Sequence, residues 1–160
     1  MSFTVDIQRD SDEDTPDDED LRRAIGAALA LAPDTPDAPE LSLRIVGRSE
    51  MQQLNGTYRG RDYATNVLSF PADLPAELEL PLLGDIAICA PVVNDEAREQ
   101  GKEFPAHWEH MLVHGVLHLL GYDHQNDTEA DEMEALETRI LQRLGRPDPY
   151  LIADLEEAQL

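Results

Sequence analysis

The sequence predicts a single domain in which one small, four-stranded mixed sheet is covered by about five helices. Three observations carry this. The 160-residue chain has room for one hydrophobic core and shows no internal repeat. Its apolar residues switch between a period of two and a period near 3.6, in the order β-α-β-α-β-β-α-α-α. A helix separates the first two strands, which suits parallel pairing, whereas a long loop joins the last two, so one of them can serve as an antiparallel edge.

Phe3-Thr-Val5-Asp-Ile7 alternates and reads as the first strand. Asp10 to Asp20 is an acidic loop whose carboxylates suit the N-terminus of an amphipathic helix, Leu21 to Leu31, stopped by Pro33. After a connector holding Pro36 and Pro39, Leu41 to Gly47 is a second strand with Arg44 on its polar face. Ser49 with Gln52 three residues later reads as a capping box, opening a short helix to about Tyr58. Asn66 to Phe70 is the third strand, closed by Pro71, and Ala72 to Pro81 is a proline-interrupted loop suited to the mobile wall of a cleft. Leu83 to Ala90 is the fourth strand, and Pro91 at a first helical position starts a helix to Gly101. Phe104 to Leu120 is the longest apolar-faced helix. Asn126 or Asp127 caps a last helix to about Leu144, followed by Gly145 and Pro147. From Asp148 onward a weakly ordered acidic tail is expected.

Composition narrows the function. The net charge is −22, which argues against a general nucleic-acid binder, since phosphate contacts need clustered cations. The charge is uneven, however. Residues 1–40 hold twelve acids against three bases and residues 126–160 hold ten against three, whereas residues 41–72 set Arg44, Arg48, Arg59 and Arg61 against only Glu50 and Asp62. Acid-rich, lysine-poor composition of this kind suits a salty cytoplasm, where repulsion is screened. The single cysteine, Cys89, rules out an intrachain disulfide and reads as structural in a reducing cytoplasm. The start is acidic, without a leader signal, and the longest apolar run, Ile25 to Ala32, is far short of the roughly 20 residues of a membrane span. The expectation is a cytoplasmic protein with no membrane partner.

The chemistry concentrates in His114-Gly-Val-Leu-His118-Leu-Leu-Gly121-Tyr-Asp-His124. Residues four apart on a helix share a face, so His114 and His118 meet. His124 would lie on the far side of a continuing helix, but Gly121 can adopt a left-handed conformation and turn the chain back. Three imidazoles in this arrangement can hold one zinc ion and leave a fourth position open. The spacing is similar to the extended zincin motif, except that Gly115 stands where a metalloprotease has its general-base glutamate. His110 shares the face of His114 but lies about 12 Å along the axis from His118, too far for both to reach one ion. His110 is therefore read as a supporting or core residue, and His107 as a surface one. Asp123 is either an orienter of a ligand imidazole or a solvated turn residue. Asp85, opening a buried strand after a glycine, is read as structural.

Several segments together resemble the YbeY family of bacterial metal-dependent endoribonucleases, which act on single-stranded ribosomal RNA. They are Leu54-Asn-Gly-Thr-Tyr58-Arg59, Thr65-Asn-Val-Leu-Ser-Phe-Pro71, Leu83-Gly-Asp85-Ile86, the block from His110 to His124, and Met133-Glu-Ala-Leu-Glu137. The likeness runs from residue 41 to about 144. It implies an α+β domain around a four-stranded mixed sheet, with one Zn²⁺ per chain on His114, His118 and His124 and a functionally required Arg59. It also implies small-subunit (16S) rRNA 3′-end maturation and late ribosome quality control, with single-stranded rRNA and the ribosome or small-subunit assembly factors as partners and no role on DNA. Ala64 stands where the family commonly has proline, which loosens the approach to the third strand.

The residues suit that reaction. A planar guanidinium stabilises charge on non-bridging phosphate oxygens, which makes Arg59 and the metal-bearing His114 the candidate catalytic residues. Asn66 and Ser69, on the following strand, are candidates to bind the RNA backbone or a base edge together with Arg59, and Arg61 supplies supporting charge. With glycine at position 115 no general base is identifiable, and either activated water or the RNA 2′-OH can be the nucleophile. Two rivals remain open: a zinc-stabilised, non-enzymatic protein of ribosome assembly, and a zincin-like metallopeptidase or amidase.

Overall fold

The computed structural model describes residues 2–33, 35–74, 80–123 and 126–148. In chain order its elements are β1 (Thr4–Asp10), α1 (Asp18–Leu31), β2 (Glu40–Val46), α2 (Arg48–Arg59), β3 (Val67–Pro71), β4 (Leu82–Cys89), α3 (Ala90–Glu99), α4 (Phe104–Leu119) and α5 (Asp127–Arg143). The sheet order is β1-β2-β4-β3. β1 pairs with β2 and β2 with β4 in parallel, while β3 runs antiparallel to β4 at the edge, with Ser69 opposite Ile86. This is an α+β domain with the expected mixed sheet.

Period-two alternation sends Val5, Leu41, Leu43, Ile45, Ile86 and Ile88 to one face of the sheet. There they meet Leu21, Ile25 and Leu29 of α1, Trp108, Leu112 and Leu117 of α4, and Met133 and Ile140 of α5. The other face carries a smaller cluster, Val46, Met51, Leu68, Ala87 and Cys89, under α2 and α3. Helix α4 is buried along most of its length, which explains why its sequence is apolar nearly all round.

Element ends follow local chemistry. α1 begins three residues before the expected Leu21 because Asp17 caps it, accepting from the Asp20 N–H at 2.8 Å, while Asp18, Glu19 and Asp20 sit favourably in the first turn. The capping box expected at Ser49 does not form. β2 turns directly into α2 at Gly47, which is the N-cap, and Ser49 is already inside the helix. Asn126 caps α5, accepting from the Glu129 N–H at 2.9 Å. No helix among the described residues is long and apolar enough to cross a membrane. The expected loop wall at 72–81 lies partly outside the described residues, as does the expected tail beyond Asp148.

Candidate metal and nucleic-acid site

One open cleft of about 470 Å³ lies between β3 and the C-terminal half of α4, and Arg59, Asn66, Ser69, His114, His118 and Asp123 line it. Helix α4 ends there through its glycine. Gly121 has φ +101°, its N–H donates to His118 O at 3.1 Å, and the Tyr122 N–H reaches back to Leu117 O at 3.0 Å. These two bonds are the Schellman arrangement, which satisfies the last carbonyls and turns the chain away from the helix axis. The left-handed helix stop expected at Gly121 is present. His124, the third predicted metal donor, lies outside the described residues.

His114 and His118 face each other across one helical turn, with Nε2 atoms 3.0 Å apart and ring centroids 4.5 Å apart at 77°. Two Zn–N bonds of about 2.0–2.1 Å can end on a single ion across such a gap, so this pair fits a zinc site. Among the described residues no third His, Cys, Asp or Glu completes a three-donor group with them. The opposite nitrogen of His114 is fixed: Nδ1 donates to Glu137 Oε1 at 2.8 Å. His110 Nε2 donates to the second oxygen of the same carboxylate at 2.9 Å. His110 is therefore buried support.

His107 is a correction. It was expected at the surface but is only 3% exposed, and its Nε2 donates to Glu96 Oε1 at 3.0 Å. α4 packs against α3 at this point, which leaves no solvent face. Burial pushes the Glu96 carboxyl up, but hydrogen bonds from His107 and Asn66 outweigh it and hold the group below its ordinary value.

Arg59, the last residue of α2, reaches the edge of the sheet. Its Nη2 donates to Ser69 O at 2.9 Å and its guanidinium carbon stands 5.4 Å from the centroid of the Phe70 ring. Tyr58 packs edge-on against the same ring, with centroids 5.2 Å apart. Asn66 and Ser69 border the cleft while bonding within the protein. Asn66 Nδ2 donates to both Glu96 oxygens at 3.2 Å and its Oδ1 accepts from the Val67 N–H at 2.7 Å. Ser69 Oγ donates to Gly115 O at 2.8 Å, tying β3 to α4. Asp85 bonds Ser42 on the sheet face opposite α4, in keeping with a structural role.

Gly115 has a packing reason. A Cβ there would lie 3.3 Å from two side-chain carbons of Ile86 and 3.4 Å from Val67 Cγ2, so α4 touches the sheet at this residue. Any side chain at this position presses its Cβ against β3 and β4, which disfavours the peptidase-type glutamate here.

Sequence reasoning passed over Glu137. Its signal was present: on α5 it falls on the stripe Met133, Leu136, Ile140 and Leu141, all buried, where an acid has no place unless it is paired.

Comparison with known proteins carries the likeness further toward the N-terminus than the motifs do, from residue 41 back to residue 6. The family model described as Endoribonuclease YbeY matches residues 6–145. The curated protein named Endoribonuclease YbeY from Pseudomonas entomophila is 57% identical over 147 residues, covering 91% of this chain and 92% of that protein. The one from Cellvibrio japonicus is 54% identical over 157 residues, covering 98% and 88%. The solution structure of TM1509 from Thermotoga maritima superposes with a TM-score of 0.57 at 25% identity, covering 86% of this chain and 87% of that one. A match that spans the whole cleft, in relatives aligned over nearly their full length, makes this chain a member of the endoribonuclease YbeY family.

Proposed function

We propose that this chain is a zinc-dependent endoribonuclease, specific for single strands, that hydrolyses RNA phosphodiester bonds in the cytoplasm. Its place would be 16S rRNA 3′-end maturation and late ribosome quality control. The observation that carries the reading is the meeting of Arg59 with the His114–His118 pair on one open cleft.

Zn²⁺ held by His114, His118 and His124 would supply Lewis acidity, lowering the pKa of a coordinated water to around 7 and polarising a phosphoryl oxygen. The protein's own groups do the rest. Arg59 spends one N–H on Ser69 O and one on Tyr58 O, and keeps others for the non-bridging oxygens, where charge grows as the bond breaks. Ser69 and Asn66, fastened to Gly115 and Glu96, hold β3 as a fixed floor under the phosphate. Glu137 keeps His114 turned with Nε2 toward His118. The nucleophile, water or the 2′-OH, is distinguished by the product ends: replacing only the 2′-OH at the cut site by hydrogen abolishes cleavage on the second route.

A chain of net charge −22 binds free RNA weakly and in a salt-sensitive way, so productive targeting would come through the ribosome or an assembly factor. The decisive experiment is metal analysis with single-stranded RNA cleavage on wild type, His114→Ala and Arg59→Ala. The reading expects metal loss in the first variant and a folded, metal-loaded, inactive protein in the second. A fully active Arg59→Ala, or a fully active chelator-stripped protein, would overturn it. A wild type that binds small subunits but never cuts would favour the non-enzymatic assembly protein.

A further inference from the structure

Two of the histidines on α4 are served by one acid from another helix, and this arrangement has more than a packing meaning. The Glu137 side chain is only 1% exposed, yet it lies among Met133, Leu136, Ile140 and Leu141 on the apolar stripe of α5. A buried carboxylate is costly unless fully paired, and an apolar residue of similar volume would fill the place with less penalty. Both of its oxygens are directed at imidazoles: Oε1 takes the Nδ1–H of His114 at 2.8 Å, and Oε2 takes the Nε2–H of His110 at 2.9 Å. The two histidines stand one helical turn apart, so a single carboxylate spans them. His118 follows one turn later, its Nε2 facing that of His114.

We propose that Glu137 is a positioning residue for the metal-binding face of His114, with His110 as its anchor; this rests on the metal reading above. Accepting the Nδ1–H fixes His114 in the tautomer whose lone pair is on Nε2, the nitrogen turned toward His118. The carboxylate charge, one ring away, makes that nitrogen a stronger donor. His110 holds the other oxygen and stops the carboxylate from rotating out of the plane of the His114 bond. The same bond commits the Nε2 of His110 to Glu137 and so keeps it from competing for the ion. An evenly spaced histidine run is thereby sorted into a support and two donors.

The test is Zn²⁺ affinity of the full chain, measured by competition with a chromophoric chelator, for wild type, Glu137→Gln and Glu109→Gln. Glu109 is a buried carboxylate on α4 itself, paired with Arg146 instead of with histidine, and so controls for loss of a buried acid. The expected result is about 10- to 100-fold weaker zinc binding for Glu137→Gln, with Glu109→Gln within about threefold of wild type. Glu137→Gln within about threefold of wild type overturns the proposal, as does an equal loss in both variants. If Glu137→Gln does not fold, nitrogen-15 spectra of the wild-type imidazoles decide: His114 coordinating through Nε2 with a proton on Nδ1 supports the proposal, and coordination through Nδ1 overturns it. A wild type that retains no zinc fails the metal reading itself, an outcome distinct from zinc-loaded wild type with an indifferent variant.

Discussion

Gly115→Ala sets two known effects against each other at one buried site. In a helix interior, alanine is favoured over glycine by about 0.8–1.0 kcal/mol. The new methyl, however, would stand 3.3 Å from Ile86 Cδ1 and Cγ2 and 3.4 Å from Val67 Cγ2, inside the usual contact distance of about 3.5–4.0 Å. Ile86 is 1% exposed and cannot swing away, so α4 must lift from the sheet by a few tenths of an ångström. Overpacking of this kind costs about 1–3 kcal/mol. The balance is a loss of about 0–2 kcal/mol, or up to about 8 °C in Tm for a domain of this size. Lifting α4 also strains the Ser69–Gly115 bond of 2.8 Å, and through Ser69 it disturbs the carbonyl that holds Arg59. Thermal melts followed by circular dichroism, with RNA cleavage on the same samples, check both parts. A Tm raised by the full propensity gain, with cleavage unchanged, would refute the packing account of this glycine. Gly115→Glu should fail to fold and gain no peptidase activity.

Arg59→Ala should lower single-stranded RNA cleavage by about 10²–10³-fold, the usual loss for one preorganised donor, with zinc content unchanged, and Arg59→Lys should not restore it. Turnover assays with parallel metal analysis read this. The Glu96 carboxyl, held below its ordinary value by His107 and Asn66, contributes stability that is present above the unfolded-state pKa of about 4.3 and lost as pH falls through the lower folded value. Acid unfolding should therefore be flatter in Glu96→Gln than in wild type across that interval. Arg146→Ala leaves Glu109, a 7% exposed side chain, without its 2.7 Å partner, and should cost about 1–3 kcal/mol, read as a lower denaturant midpoint.

Much of this was legible from pattern alone. Periodic stretches, with cap and proline signals, gave the nine elements found among the described residues, and the helix between β1 and β2 gave their parallel pairing. Local signals placed Gly121, because a helix stop needs a particular backbone angle that glycine supplies. What a linear reading missed depends on tertiary neighbours. His107 reads like any histidine near a helix start, and only the packing of α3 onto α4 buries it beside Glu96. Ser49 and Gln52 have the spacing of a capping box, but the chain enters the helix at Gly47 and uses neither. Glu137 was visible as an acid on an apolar stripe, yet its two partners come from another helix and no spacing rule connects them.

The floor of the cleft is also a border of the sheet, and that border is closed at three positions. The Val67 N–H is satisfied by Asn66 Oδ1, Ser69 O is covered by the Arg59 guanidinium, and Pro71 has no N–H to offer. A strand of another molecule would find these three positions closed, which hinders pairing along β3. Arg59 thus has two employments, and a phosphate that draws it away uncovers a backbone acceptor while RNA occupies the groove. Variants at this position should be examined for self-association as well as for lost cleavage.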